Sequence, residues 1–312
     1  MVNLTIYKKK FWQVGKAASL IAFAAASMMM GSCENYLDIE QYVYDQTTLD
    51  SIFLSRERTE QYINGAASLI PDESVLTGND WGVGACLPSG LGTDEFIIPF
   101  VMPANAILYD EVTESDVKFN PWGNCYKGIR KANIVLQNID RNEELTEMEM
   151  RDFRGRAYFL RAFFYYYLMR LYGPVVLVPD TPVDTDSEEI SFPRATYDEC
   201  VAKVCADLDL AIEYLSDSRI EGLQYIPTRG AAMALKARVQ LFAASPLFNG
   251  NTYYSDWQTE EGNNFISQEV DNSKWGKAAA SFKRVIDTGK YALHTVDKIV
   301  NTLGTGTLPL PS

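Results

Sequence analysis

The chain has 312 residues, 47% of them hydrophobic, enough to bury the core of one large domain or two ordinary ones. Lys and Arg number 28 against 41 Asp and Glu, which excludes a broad basic face for nucleic acid. The single histidine, His294, excludes a multi-histidine metal site and leaves any serine or cysteine catalytic arrangement only that one imidazole. No metal and no cofactor is expected.

Lys8, Lys9, Lys10 and Lys16 make a positive start without an acidic residue. Ala17 to Met30 follows, fourteen residues without a charge. That is short of the roughly 20 residues a bilayer span needs, and it suits a secretory leader. Met30-Gly31-Ser32-Cys33 closes the run and looks like a bacterial lipobox, so residues 1–32 are expected to be a leader and Cys33 the lipidated residue. Several acyl chains anchor a protein stably where one holds it only marginally. Four further cysteines, Cys86, Cys125, Cys200 and Cys205, are too scattered for a disulfide scaffold. Cys200 and Cys205 fall on different faces of one helix, which argues against a bridge between them.

Residues 33–120 form an N-terminal segment. Within it a helix is predicted from Arg56 to Ile70, with Tyr62, Ala66 and Leu69 on one face and Pro71 as the stop. A glycine- and proline-rich insertion then runs to residue 120, and long loops of this kind are often functional. Helical pattern returns over residues 121–290. Tyr126, Ile129, Asn133 and Leu136 share a face. Thr146 with Glu149 is a capping box that opens a long helix ending at Gly173-Pro174. Its stretch Phe163–Tyr167 has aromatics all round and predicts burial on most sides. Arg154, Arg156, Arg161 and Arg170 argue against a membrane span.

Thr196 with Glu199 is a second capping box, with Tyr197, Val201, Val204, Leu208, Ala211 and Leu215 as the inner face. Pro227-Thr228 opens another helix through Ala231, Ala234, Leu235, Arg238, Leu241 and Phe242. A third unit begins at Lys274, with Trp275, Ala279, Phe282 and Ile286 on one face and Gly289 as its stop. Unit starts at Tyr126, Tyr197 and Trp275 are not spaced by the fixed period of a simple tetratricopeptide array. The pattern reads as all-α: an α-α superhelix of tetratricopeptide-like helix pairs with long loop insertions.

The stretch from Arg154 to Pro174, with Leu160-Arg161-Ala162 before its aromatic run and Leu171-Tyr172-Gly173 after it, resembles the SusD/RagB family of Bacteroidetes. Cys33 to Ile39, Tyr126 to Leu136 with Ala132-Asn133, and Pro227 to Arg238 agree in the same order. The resemblance implies a SusD-like fold and a nutrient-binding lipoprotein of the cell outer membrane. Such a protein captures oligosaccharides, or in some branches peptides, for a SusC-like TonB-dependent transporter and is not an enzyme. Family members are considerably longer, so the chain reads as a shortened product with an irregular tail over 291–312. Its last helix would then lack a repeat partner and leave Trp275, Phe282 and Ile286 partly exposed.

Sugar recognition needs flat aromatic faces for C–H patches and planar amides or carboxylates for hydroxyls. The insertion offers Asn79, Asp80 and Trp81, then Asp94 and Glu95, then Tyr109; a second loop, Asn249 to Trp257, offers Tyr253 and Trp257. Each also has a plain reading as a loop residue packed on the scaffold or a solvated turn. Asn133 and the Phe163–Tyr167 stripe read as core. Two other functions compete with ligand capture. One is a secreted glycosidase using two carboxylates such as Asp94 and Asp116. The other is a helical-repeat adaptor that binds only proteins.

Overall fold

The computed structural model describes residues 49–71, 113, 120–181 and 192–295. The leader, Cys33, Cys86 and the predicted sites at Asn79, Asp80, Trp81, Asp94, Glu95, Tyr109 and Asp116 lie outside the described residues. The chain divides into a unit ending at Ile52 and a unit beginning at Phe53. A short helix α1 spans Leu49–Phe53 across that boundary. The second unit carries α2 (Arg56–Ala67), α3 (Trp122–Asn138), α4 (Glu147–Tyr172), α5 (Tyr197–Tyr214), α6 (Arg229–Ala244) and α7 (Ser273–Asp287). Single 3-10 turns sit at Ile139–Arg141 and Thr252–Tyr254. Among the described residues β pairing is confined to isolated bridges, so the architecture is all-α, as the periodicity predicts.

Successive helices pack side by side from α2 to α7, with α4 flanked by α3 and α5. Both capping boxes form: Thr146 and Thr196 accept from the amides of Glu149 and Glu199, whose carboxylates accept from the threonine amides in return. Thr228 caps α6 by accepting from the Ala231 amide. Gly173 ends α4 at φ 68°, a left-handed conformation that costs glycine little. Gly128 on α3 is required by proximity, because a Cβ there would lie 2.3 Å from the Phe164 ring on α4. Two neighbours for α4 explain its burial: Leu160, Phe164, Tyr165, Leu168 and Met169 are all core residues, while Phe163 is half-buried. No helix among the described residues is long and apolar enough to cross a membrane.

Charged groups stitch these layers. Arg161 of α4 is buried and donates to both carboxylate oxygens of Asp207 on α5, at 2.7 and 2.5 Å, and to Oδ1 of Asn133 on α3, at 2.7 Å. Asn133 is therefore a satisfied core residue, as its apolar face suggests. A second cluster sets Asp152 of α4 between Arg156 and Arg219, both at 2.8 Å. Arg219 also donates to the Pro227 carbonyl, tying the α5–α6 connection to α4. Cys125, Cys200 and Cys205 are free thiols; burial pushes Cys125 up to about 12 and the other two up to about 11.

One predicted face is corrected. Helix α2 ends at Ala67, and its buried face is Thr59, Ile63 and Ala66, with Tyr62 and Leu69 only half-buried. In α6 the buried residues include Ala232, Leu235, Val239 and Ala243, whereas Ala234, Arg238 and Leu241 face solvent. Helix α7 packs chiefly on α6 and buries only Ala278. Trp275, Phe282 and Ile286 are 45%, 37% and 74% exposed, which agrees with the expectation for that helix.

Candidate ligand-binding site

The end of α4 launches an extended strap, residues 174–181, that side chains of three helices hold by its main chain. Tyr126 of α3 donates to the Val176 carbonyl at 2.7 Å, and Asn133 and Gln137 donate to the carbonyls of Pro179 and Asp180. Tyr165 of α4 accepts from the Val178 amide. The Asp180 carboxylate takes Arg161 at 3.0 Å and Lys203 of α5 at 2.6 Å. The returning chain lies beside the strap: Ala195 donates to the Val175 carbonyl, and Arg194 donates to the Pro174 carbonyl. Burial raises the Tyr126 and Tyr165 phenols, so both stay neutral while serving as clamps.

A second irregular segment, 249–272, is anchored from within. Buried Asn249 donates to the carbonyls of Ala244 and Asp271 and accepts from the Asp271 amide. Gly250 and Asn251 both donate to the Ser267 carbonyl. A tight reversal follows between Trp257 and Phe265, closed by the Thr259 amide on the Asn263 carbonyl and the Phe265 amide on the Trp257 carbonyl. The Tyr197 amide at the start of α5 donates to the Phe265 carbonyl at 2.8 Å, and the Tyr197 ring stacks on Phe248 with centroids 3.7 Å apart. Strap and reversal thus meet at the N-terminus of α5.

A run of rings leads from the 3-10 turn at Thr252–Tyr254 into the reversal. Tyr253 meets Tyr254 at 5.1 Å between centroids, Tyr254 meets Trp257 at 6.0 Å, and Trp257 meets Phe265 at 5.0 Å. The Arg194 guanidinium lies 5.7 Å from the Trp257 ring and 5.8 Å from that of Trp122. Tyr253 is 86% exposed, and Tyr254 and Trp257 are half-buried. The structure therefore brings together the predicted residues Tyr253 and Trp257, joined through Tyr254.

Between the reversal, the strap and the start of α5 lies an open cleft of about 660 Å³. Leu177, Phe192 and Phe265 give it apolar wall; Gln258 and Asn263 give planar amides; Thr196 and Thr259 give hydroxyls. Glu199, Glu260 and Glu261 supply carboxylates. Hydrogen bonds from the Thr259 hydroxyl and the backbone hold the Glu261 carboxyl below the usual range, so it is ionised at neutral pH. Such a mixture suits a polyhydroxylated ligand. Sequence reasoning stopped at Trp257 and missed Gln258, Asn263 and Phe265, although the same polar-aromatic mixture continues to residue 265. Arg194 and Phe192 carried no comparable signal. Among the described residues no cluster of histidine, cysteine or acidic side chains is placed to hold a metal.

A family model described as starch-binding and associating with the outer membrane, SusD-like, matches residues 35–241. A protein of Formosa agariphila named SusD-like protein P2 is 31% identical over 120 residues, covering 38% of this chain and 23% of that protein. SusD-like protein P25 of the same organism is 23% identical over 238 residues, covering 72% and 43% respectively. Among solved structures, the protein BT4246 matches with a TM-score of 0.60 at 26% identity, covering 75% of this chain and 40% of that one. The chain spans less than half the length of each of these relatives.

Proposed function

The chain belongs to the SusD-like family, and on that premise we propose that it is a nutrient receptor of the outer-membrane surface. It captures oligosaccharides and hands them to a SusC-like TonB-dependent transporter, binding its ligand without transforming it. Residues 1–32 act as the export leader, and acylated Cys33 holds the mature chain on the membrane. The helices of 121–290 are the scaffold, and irregular segments carry the ligand contacts.

The observation that carries this reading is the ring series of exposed Tyr253 and half-buried Tyr254 and Trp257 beside a cleft lined with amides, hydroxyls and carboxylates. Aromatic faces take the apolar C–H patches of a sugar ring, and the polar lining takes its hydroxyls. Trp81 with Asn79, Asp80, Asp94, Glu95 and Tyr109 offers the same chemistry and is proposed as a second contributor. The test is isothermal titration of the purified chain against gluco-, manno-, xylo- and galacto-oligosaccharides and against short peptides. Tyr253→Ala should weaken oligosaccharide binding by about 0.5–1.5 kcal/mol, with little effect on folding because the ring is exposed. Binding of peptides alone would replace the ligand class, and hydrolysis of the oligosaccharides would replace the receptor by an enzyme.

A further inference from the structure

Resting on that reading, we propose that the cleft beside the start of α5 selects uncharged oligosaccharides and turns away sulfated or uronate-bearing ones. Glu199, Glu260 and Glu261 line the cleft, and among its described lining residues the one cation is Arg194. That guanidinium is already engaged: it donates to the Pro174 carbonyl and lies between the rings of Trp122 and Trp257. A ligand carboxylate or sulfate would have to displace those contacts to reach it.

The other feature able to attract an anion is the N-terminus of α5, where unpaired amides gather partial positive charge. It is occupied from within the chain. The Thr196 hydroxyl accepts from the Glu199 amide, and the Glu199 carboxylate accepts from the Thr196 amide and hydroxyl. The capping box that starts the helix thus also fills its anion seat. What remains for a ligand is hydrogen-bonding capacity without compensating positive charge: the side-chain amide of Asn263, and the part of the Gln258 amide not spent on the Ser255 carbonyl, beside the Phe265 wall.

The size of the cleft makes the exclusion effective. A space of about 660 Å³ has the radius of a sphere of roughly 5 Å, inside the Debye length of about 8 Å at physiological salt. An anionic substituent held there would meet the exposed Glu260 and Glu261 carboxylates, while Glu199 is answered by the amide it caps, and the repulsion amounts to about a tenfold loss of affinity at low salt. The net charge of −13 on the whole chain acts in the same direction.

The test is a glycan array carrying neutral oligosaccharides beside sulfated and uronate-bearing counterparts of the same length, probed with the full chain at low and high salt. Neutral glycans should bind about tenfold tighter than their anionic counterparts at low salt. The gap should narrow at high salt and in the double variant Glu260→Gln/Glu261→Gln, and Asn263→Ala should weaken neutral binding. Equal or tighter binding of the anionic set, or a gap unmoved by the double variant, overturns the proposal. Neutral binding that ignores both Asn263→Ala and the double variant places the ligand elsewhere; it overturns the proposal and leaves the receptor reading standing. If no glycan of either charge class binds, the oligosaccharide reading falls and this one with it.

Discussion

Helices α4 and α7 both carry large apolar side chains at helical spacing, yet they end in opposite surroundings. Helix α4 has α3 on one side and α5 on the other, and thirteen of its residues are buried. Helix α7 has α6 and little else among the described elements, and one residue is buried. Periodicity shows which face of a helix is apolar; the number of neighbours decides whether that face leaves water. The double flanking of α4 also permits something α7 lacks, a charge in the core. Arg161 can be buried because Asp207 and Asn133 reach it from two different helices.

The sharpest way to break this contrast is to remove the guanidinium. Arg161→Met should destabilise the fold by roughly 3–5 kcal/mol in urea titration, because it takes both close hydrogen bonds from the buried Asp207 carboxylate and leaves it only Lys203, 3.7 Å away. The double variant Arg161→Met/Asp207→Leu should recover most of that loss. A cost below about 1 kcal/mol for the single variant would mean that the network does not hold the layers together. A matched pair of truncations sharpens the contrast next. Leu208→Ala, at a fully buried position of α5, should cost about 2–5 kcal/mol, whereas Ile286→Ala on α7 should change stability by about 0.5 kcal/mol or less. Similar costs at the two sites would show that α7's exposed face is covered in solution.

The smallest effect concerns acid. Burial raises the Asp180 carboxyl, but the Lys203 ammonium and the Arg161 guanidinium outweigh it and hold the group below its ordinary value of 3.8. A lowered folded pKa gives stability that is present above pH 3.8 and lost as pH falls through the folded value. Asp180→Asn should therefore flatten the acid limb of the stability profile below about pH 4 and leave its shape near neutrality unchanged. An unaltered acid limb would show that Asp180 is not coupled to the core charges.

Much of the scaffold was legible because its signals are local. The two capping boxes lie within four residues each, the Gly173 stop is a single position, and the aromatic run of α4 is continuous. The inner face of α6 was less legible, since an alanine-rich helix shows little contrast between its sides. What joins the layers was not legible at all: Arg161 and Asp207 are 46 residues apart, and nothing local to either marks the other as its partner. The candidate site was half legible. Tyr253 and Trp257 stand out as aromatics among polar loop residues. Arg194, Phe192 and Glu199 join them only because the strap and the reversal converge on the start of α5.

The strap is gripped through carbonyls and an amide by residues that belong to the helices: Tyr126, Asn133, Gln137 and Tyr165. A grip on the main chain is largely indifferent to which side chains the strap displays. The helices can therefore stay as they are while the side chains along the span they hold are exchanged, because the fastening does not pass through those side chains.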